Sequence, residues 1–365
     1  LRPDEEKLTY SCIFKLNNDA EVLDYKIVRT VIRSDRRFTY EEAQEIIETG
    51  KGDFAMEILT LNDLAKKLRD RRFASGAIAF ERSEVRFEID EKGKPINVIF
   101  KESKDSNKLI EEFMLLANRY VAQHIGMPKN KQKPKTFVYR IHDVPNTEKL
   151  LNFATFIKKF GYKIKTEGKN TNVSASINRL LDSIEGKKEQ NMIESLAIRS
   201  MAKAVYSTDN IGHYGLAMKY YTHFTSPIRR YPDMTVHRLL TRYADSKTSQ
   251  TIDSTDYDGI CKHSSDMEQL AAQAERASIK YKQIEFMADK IGKVYDGVIS
   301  GISTWGIYVE IKENKCEGMI YIRDLEDDIY VYDEKNYCIV GRRTKKKYQI
   351  GDDVRIKVVR ADLVK

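Results

Sequence analysis

The amino-acid sequence predicts an α+β protein in two parts, a larger mixed part over residues 1–291 and a small β-barrel over residues 292–365. In the larger part, segments with the apolar spacing of a helix alternate with β-branched segments typical of strands. From Gly292 onward the pattern changes to short alternating strands separated by Gly and Asp, which indicates a small barrel of the OB type.

Local signals justify the elements in turn. Val22–Ser34 is β-branched enough for a strand, and Thr39 with Glu42 forms a capping box for a helix that ends at Gly50. The sequence then predicts a helix over 54–72, a hairpin of strands 83–90 and 95–101, a helix over 106–125, a strand over 137–142, helices over 146–160, 173–184, 190–206, 227–243 and 257–291, and barrel strands over 294–299, 305–311, 318–322 and 354–359. In the helix over 106–125, the side predicted to face the core carries Leu109, Ile110, Phe113, Met114 and Ala117.

Composition narrows the classes of protein. With 41% hydrophobic and 32% charged residues the chain can bury a sizeable core, which excludes global disorder. No stretch approaches 18 apolar residues, which argues against a membrane-spanning helix. The cysteines are scattered without zinc-ligand or redox spacing, which favours a cytoplasmic protein. Of the net charge of +8, +7 lies within residues 1–291, because residues 292–365 carry 14 basic and 13 acidic residues. A basic surface attracts polyanions.

One stretch concentrates residues that can do chemistry. Thr225, Ser226 and Pro227 carry a helix-start signal, a hydroxyl cap followed by proline. Arg229 and Arg230 would lie in the first helical turn, where backbone N–H groups and guanidinium forks would receive a phosphate. From the residues alone, a capped helix with a solvated arginine pair is the alternative. The whole stretch runs through His213-Tyr214-Gly215-Leu216, Tyr221-Thr222-His223-Phe224-Thr225-Ser226-Pro227-Ile228-Arg229-Arg230-Tyr231-Pro232-Asp233 and His237-Arg238.

This stretch resembles the signature of the RNB domain, the catalytic domain of the ribonuclease II and ribonuclease R family. Residues 223–233 of this stretch and the compact spacing favour the bacterial ribonuclease R type. Residues 292–365 are similar to the family's S1-type RNA-binding domain, notably at Gly297-Val298, 305–309, 317–320 and Gly351-Asp352. Earlier blocks that also resemble the family lie at 37–44, 76–80, 109–118 and 139–145.

The resemblance implies a processive 3′→5′ exoribonuclease that hydrolyses RNA to nucleoside monophosphates with Mg²⁺ as cofactor. In the family an aspartate cluster of the form DxxxxxDxDD holds the metal, and this sequence lacks it. Asp253, Asp256 and Asp258 have the wrong spacing and are expected to be helix-start residues. We therefore expect no metal site here and interpret the chain as an internal fragment. Its RNB domain would be N-terminally truncated, with the cluster upstream of Leu1, and its barrel incomplete at the C-terminus. Such a fragment would be inactive alone.

The resemblance also implies roles for matched positions. Arg229 resembles the arginine that touches the scissile phosphate and is the expected catalytic residue. Phe80 matches an aromatic that stacks near the 3′-terminal bases, with core packing as the alternative. Glu112, or else Glu111, resembles a ribose-contacting carboxylate, with a solvated helix glutamate as the alternative. Tyr40 resembles a tyrosine of the substrate path. The expected walls of the site are His213, Tyr214, Thr225, Ser226, Arg230 and Tyr231.

The barrel offers a second RNA-binding surface. Trp305, Tyr308 and Tyr321 lie where such barrels can present aromatic rings to single strands. The densest basic run is either a phosphate-tracking loop or a flexible solvated loop, and consists of Arg342, Arg343, Lys345, Lys346 and Lys347.

The expected partners are the 3′ ends of single-stranded RNA, and the resemblance allows the ribosome or RNA-decay factors as further partners. We expect a cytoplasmic monomer that does not contact membranes. A non-catalytic RNA-binding protein with a degenerate RNB domain is the alternative function.

Overall fold

The computed structural model describes residues 2–78, 84–127, 134–166, 173–187, 189–245 and 253–363. The chain divides into two compact units that interleave along the sequence. The first unit consists of residues 1–79, 103–144 and 202–269, and the second of residues 80–102, 145–201 and 270–365. Each unit mixes helices and strands, so the predicted α+β class is confirmed.

The elements have the following bounds. The helices are α1 (Tyr40–Thr49), α2 (Ala55–Ala74), α3 (Asp105–Gly126), α4 (Thr147–Ile157), α5 (Val173–Ile184), α6 (Gln190–Ser200), α7 (Tyr231–Asp245) and α8 (Thr255–Ala288). The strands are β1 (Glu6–Leu16), β2 (Val22–Arg33), β3 (Glu84–Ile89), β4 (Pro95–Lys101), β5 (Tyr139–Ile141), β6 (Val205–Ser207), β7 (Val294–Ile302), β8 (Gly306–Ile311), β9 (Glu317–Tyr321), β10 (Tyr330–Asp333), β11 (Cys338–Gly341), β12 (Lys347–Gln349) and β13 (Asp353–Lys357).

The core of the first unit forms around α3, α7 and the short pair β5–β6. Val121, Phe137, Val236 and Leu239 are almost completely buried in it, and Phe224 joins them from the segment that precedes α7. Burial of one such side chain stabilises the fold by about 1.5–3 kcal/mol. The antiparallel ribbon β1–β2 covers part of this core with Tyr10, Cys12 and Ile27. The chemistry-bearing stretch is therefore anchored by its own apolar residues.

Local signals predicted α1 correctly. Thr39 accepts from the backbone N–H of Glu42 at 3.1 Å, and the Glu42 carboxylate accepts from the backbone N–H of Thr39 at 2.7 Å, which completes the predicted capping box. Gly50 ends the helix with φ at 70°, a left-handed conformation that suits glycine.

For the first unit and its border, two predictions were wrong and one strand was missed. The helix predicted over 190–206 ends at Ser200, because residues 205–207 form β6 and pair with β5. Strand β1 was not predicted at all. The predicted core side of α3 is shifted, because Ile110 is 43% exposed whereas Glu112 and Asn118 are buried. The end of α6, the strand β1 and the buried side of α3 all depend on contacts with residues that are distant in the sequence. Such contacts leave no local signal.

The second unit contains the hairpin β3–β4, helices α4 to α6, the end of α8 and the barrel strands. One barrel sheet has the strand order β13-β7-β8-β9, and the four barrel strands predicted from the sequence all lie in this sheet. A further antiparallel sheet, β10-β11-β12, was not predicted. Phe156 of α4 packs on Tyr337 in the turn before β11, with ring centroids 5.0 Å apart.

Candidate functional site

The centre of the candidate site is a tight turn in front of α7. The Ser226 carbonyl oxygen accepts from the backbone N–H groups of Arg229 at 3.3 Å and Arg230 at 3.0 Å. The Ser226 N–H in turn donates to Asp233 Oδ1 at 2.8 Å, and Arg230 Nη2 donates to the same oxygen at 2.7 Å. The turn over 226–230 is thus tied to the first turn of α7.

The two arginines of this turn have different surroundings. Arg230 is 20% exposed and pairs with Asp233, which is completely buried. Arg229 is exposed, and Ile228 beside it is exposed in full. An incoming phosphate would therefore meet the Arg229 guanidinium, whose fork suits phosphate oxygens.

The predicted start of α7 was wrong. Residues 227–229 form a turn, and the helix begins at Tyr231 with Pro232 as its second residue. Arg229 and Arg230 therefore precede the helix rather than lie in its first turn. The physical reason is the buried Asp233, which holds Ser226 outside the helix and stands in the first turn, where the helix dipole favours a carboxylate.

Half-buried histidines and buried tyrosines form one wall. Burial, together with the cations Arg230 and Arg140, lowers the pKa of His223 from 6.5 to about 2. Burial and the neighbouring His142 lower the pKa of His213 from 6.5 to about 3. Both rings are neutral near pH 7 and cannot serve as general acids there. His223 Nδ1 lies 2.7 Å from the Tyr206 hydroxyl, so the wall is held by hydrogen bonds.

His142 and His213 support the segment that follows them. His142 Nδ1 accepts from the Gly215 N–H at 3.0 Å, so its Nε2 carries the proton and donates to the Ala202 carbonyl at 2.9 Å. His213 Nδ1 accepts from the Leu216 N–H at 3.2 Å, and the two imidazole rings are 5.0 Å apart. These bonds shape the turn after His213 rather than expose a reactive nitrogen.

The other residues predicted to form the walls of the site differ in how far they are exposed. Tyr214 is half-buried, with its ring 6.2 Å from that of His142. Thr225 and Ser226 are half-buried in the turn. Tyr231 is 52% exposed, and Arg238 Nη1 donates to its hydroxyl at 3.3 Å. The structure therefore places Thr225, Ser226, Arg230 and Tyr231 at the turn before α7, whereas His213 and Tyr214 lie in a separate turn. The Tyr221 ring links the two segments, because it lies 5.3 Å from the His213 ring and 5.7 Å from the His223 ring.

Glu112 lies in a buried ion pair. It is 3% exposed, and both of its oxygens accept from Arg72 Nε, at 3.1 and 3.2 Å. Arg72 itself is 8% exposed. The alternative of a solvated helix glutamate is wrong for Glu112, because its carboxylate is enclosed with its partner. Glu111 is 48% exposed, lies 3.5 Å from Arg72 Nη2, and is the more accessible carboxylate of the two.

The remaining two predicted residues of the larger part are Tyr40 and Phe80. Tyr40 is the first residue of α1 and is 43% exposed. Phe80 lies outside the described residues.

The barrel presents aromatic rings at one edge. Trp305 is 74% exposed in the turn between β7 and β8, and Tyr321 is 41% exposed at the end of β9. The two positions are neighbours, because Gly306 pairs with Tyr321 and the Ile322 N–H donates to the Trp305 carbonyl at 3.1 Å. A Cβ at Gly306 would collide with the Ile320 carbonyl oxygen, so close pairing here needs glycine. Tyr308 is half-buried on β8.

The basic run of the barrel is a structured turn. Asp328 Oδ2 accepts from the backbone N–H groups of Arg343 at 3.0 Å and Thr344 at 2.6 Å. The hydrogen bond from the Thr344 hydroxyl, together with these backbone bonds, holds the pKa of Asp328 well below its usual range. Lys346 pairs with Asp327 at 2.9 Å and lies 4.8 Å from the centre of the Tyr348 ring. The alternative of a flexible loop is therefore wrong, whereas the phosphate-tracking role stays a prediction.

A cavity of about 290 Å³ lies in the first unit, between α2, α3 and residues 216–218. Three arginines and two glutamates are part of its lining. Arg71 is engaged, since its Nη1 donates to the Ala20 carbonyl at 3.2 Å, and Arg72 is paired with Glu112. The remaining arginine, Arg119, is exposed.

Sequence reasoning missed two residues that organise the site. Asn118 is 2% exposed on α3, donates to the Tyr221 hydroxyl at 3.2 Å and accepts from the Phe224 N–H at 2.9 Å. Asp233 holds the turn from within α7. The signals available in the sequence were the amide of Asn118 and the carboxylate of Asp233. Both lie in blocks that resemble the family, and neither was predicted to be a site residue.

Metal ligation and membrane insertion find no support in the described part of the chain. It contains no group of three or more His, Cys, Asp or Glu side chains arranged to hold a metal ion. Asp253 accepts from the Thr255 N–H at 3.0 Å at the start of α8, as a helix-start residue would. Among these residues no helix combines the length and the apolar character needed to cross a bilayer.

Comparison with known proteins yields two family matches. Residues 1–246 match the model of the RNB domain, and residues 288–365 match the model of the S1 RNA binding domain.

Relatives and a solved structure agree with these matches. Ribonuclease R of Aquifex aeolicus (strain VF5) is 35% identical over 375 residues, which cover 99% of this chain and 51% of that protein. Ribonuclease R of Thermotoga maritima is 36% identical over 375 residues, with the same coverage of 99% and 51%. Mycoplasma genitalium RNase R in complex with ribose-methylated single-stranded RNA superposes with a TM-score of 0.89 at 26% identity, covering 99% of this chain and 57% of that chain. The chain spans about half the length of the curated relatives it matches.

Proposed function

Because the chain belongs to the RNB domain family and carries an S1 RNA binding domain after the RNB domain, we propose that the full-length protein is a processive 3′→5′ exoribonuclease. It would hydrolyse RNA to nucleoside monophosphates. The family predicted from the sequence is confirmed by both matches and by the ribonuclease R relatives. The observation that carries the proposal is the turn over 226–230, which exposes Arg229 and leaves its neighbour Arg230 paired.

In this proposal Arg229 contacts the scissile phosphate. A guanidinium that stands ready in a fixed turn stabilises the negative charge that develops on the phosphate oxygens, without reorganising during the reaction. The neutral rings of His213 and His223 add no charge that would compete with Arg229 for the phosphate. They would form the wall against which the end of the RNA is placed.

The barrel would bind the same class of ligand at its aromatic edge. Trp305 and Tyr321 can each stack on a base, and such stacking contributes about 1–3 kcal/mol per base without regard to sequence. Single-stranded RNA with a free 3′ end is the proposed substrate. A cytoplasmic location, a monomeric state and contact with the ribosome or RNA-decay factors stay predictions.

Mg²⁺ belongs to the proposal for the full-length protein. The described residues of this chain do not fit the ion, since they offer no cluster of acidic ligands. Hard cations such as Mg²⁺ take carboxylate oxygens, so the described residues alone would not supply the ligands. We therefore assign no catalytic step to a metal here.

The decisive experiment compares Arg229→Ala with Arg179→Ala in the full-length protein. Arg179 is an exposed arginine of α5 and serves as the matched control. With a uniformly labelled RNA that has a single-stranded 3′ tail, we expect wild type and the control to release labelled nucleoside monophosphates. For Arg229→Ala we expect kcat about 10²–10³-fold lower, as for loss of one fixed donor to a developing oxyanion.

Two outcomes would contradict the proposal. An unchanged kcat for Arg229→Ala would remove Arg229 from the reaction. Tight RNA binding by the wild-type protein without any release of mononucleotides would favour the non-catalytic RNA-binding alternative.

A further inference from the structure

Ser226, Arg230 and Asp233 form a closed ring of hydrogen bonds around Arg229. The Ser226 N–H donates to Asp233 Oδ1 at 2.8 Å, and Arg230 Nη2 donates to the same oxygen at 2.7 Å. The Arg230 N–H closes the ring by donating to the Ser226 carbonyl at 3.0 Å. The Arg229 backbone lies within this ring and donates to the same carbonyl at 3.3 Å. The Arg229 backbone is therefore held by these bonds.

Asp233 itself cannot reach a ligand. Its exposed fraction is 0%, whereas Arg229 is exposed and Arg230 is 20% exposed. Any effect of Asp233 on a bound phosphate must pass through the arginines that it holds.

The ring carries a cost that stability alone does not explain. Asp233 Oδ2, Arg230 Nε and the Thr225 hydroxyl are buried, and none has a hydrogen-bond partner among the described residues. Buried polar atoms without partners destabilise a fold. Such costs are concentrated at functional sites, where the surrounding structure maintains a required geometry.

We infer that Asp233 is a positioning residue that sets the place of the Arg229 guanidinium through Ser226 and Arg230. The inference rests on the proposed function and adds to it a residue that does not touch RNA. Asp233 fixes the turn, and the turn fixes the point from which the Arg229 side chain extends. A displacement of about 1 Å in a catalytic group can lower a rate about 10²-fold, so the effect is measurable.

The test is a double-mutant cycle in the full-length protein. It combines Asp233→Asn, which keeps the size of the side chain, with Arg229→Ala, and measures kcat and KM on 3′-tailed RNA. We expect Asp233→Asn to lower kcat about 10–100-fold with KM changed less than about threefold. In the Arg229→Ala background the same substitution is expected to lower kcat by less than about twofold, because no guanidinium remains to be placed. Assays are run below the unfolding transition of every variant.

A purely structural Asp233 would give a different pattern. Asp233→Asn would then lower the melting temperature, and its effect on kcat would be equal in both backgrounds, which overturns the inference alone. Should Asp233→Asn not fold, Arg230→Lys takes its place in the cycle, because it keeps the charge and removes the fork that reaches Asp233. The same non-additive loss of kcat is then expected, and additive losses overturn the inference. No hydrolysis by wild type would overturn the proposed function and this inference with it.

Discussion

Replacing Glu112 with glutamine removes one charge from a buried ion pair and keeps its shape almost unchanged. The carboxylate is 3% exposed, the Arg72 guanidinium is 8% exposed, and Arg72 Nε lies 3.1 and 3.2 Å from the two carboxylate oxygens. The variant therefore leaves Arg72 as a buried cation. Breaking a buried pair from one side lowers the free energy of unfolding by about 3–5 kcal/mol.

The surroundings of Arg72 place the expected loss at the lower end of that range. Its Nη2 keeps Glu111 at 3.5 Å, and its guanidinium lies 4.7 Å from the centre of the Phe73 ring. Both contacts stabilise the cation after Glu112 is neutralised. We expect a loss of about 3 kcal/mol, which for a urea m-value of about 3 kcal/mol/M lowers the unfolding midpoint by about 1 M.

Urea unfolding of the 365-residue chain, followed by far-UV circular dichroism, measures this shift. Glu111→Gln is the matched control, because Glu111 is the next residue on α3 and is 48% exposed. We expect the control to lie within about 0.5 kcal/mol of wild type, as for most exposed ion pairs. Equal unfolding midpoints for the two variants would refute the buried ion pair of Glu112 and Arg72. Glu112 would then be a solvated helix glutamate.

Three further predictions follow from the site and the barrel. The 365-residue chain with Mg²⁺ should bind single-stranded RNA and release no mononucleotides, and mononucleotides in a chromatographic assay would contradict this. Changing Arg342, Lys345 and Lys347 together to Gln should reduce the slope of log affinity against log salt by about 2, at roughly 0.7 per cation on single strands, and an unchanged slope would exclude a phosphate-tracking turn. His213 and His223, with folded pKa values of about 3 and about 2 against an ordinary 6.5, contribute stability that is complete above pH 6.5 and is lost as the pH falls below it. The free energy of unfolding, measured by urea titration from pH 7 to 4, should therefore decline by about 1 kcal/mol per pH unit for each histidine, and that of a His223→Gln variant should decline less steeply than that of wild type.

The sequence predicted most where the signal is local. The capping box of Thr39 and Glu42 specified α1, because both of its bonds join residues three apart. Period-two alternation with Gly and Asp at the turns specified the barrel strands over 294–311, because one face of each strand is buried. In both cases the physical cause lies within about ten residues of its effect.

Long-range pairing explains what could not be predicted. Residues 205–207 continue a helical pattern, yet they form β6 because β5 supplies a partner strand. Asn118 is buried on α3, where it donates to the hydroxyl of Tyr221, a residue 103 positions away in the sequence. The burial of Glu112 depends on Arg72, 40 positions earlier and on another helix. A carboxylate can be buried at such a position only when its partner comes with it.

The start of α7 differs from these cases, because its signals are local and the prediction was nevertheless wrong. Both Pro227 and Pro232 satisfy the preference for proline in a first helical turn. A start near Tyr231 also places Asp233 in the first turn, where the dipole favours an acid, and makes Arg230 and Asp233 an i,i+3 pair. The structure follows this second alternative. The positive end of α7 is therefore used to stabilise Asp233, and in the proposed function the charge that meets the phosphate is that of Arg229 itself.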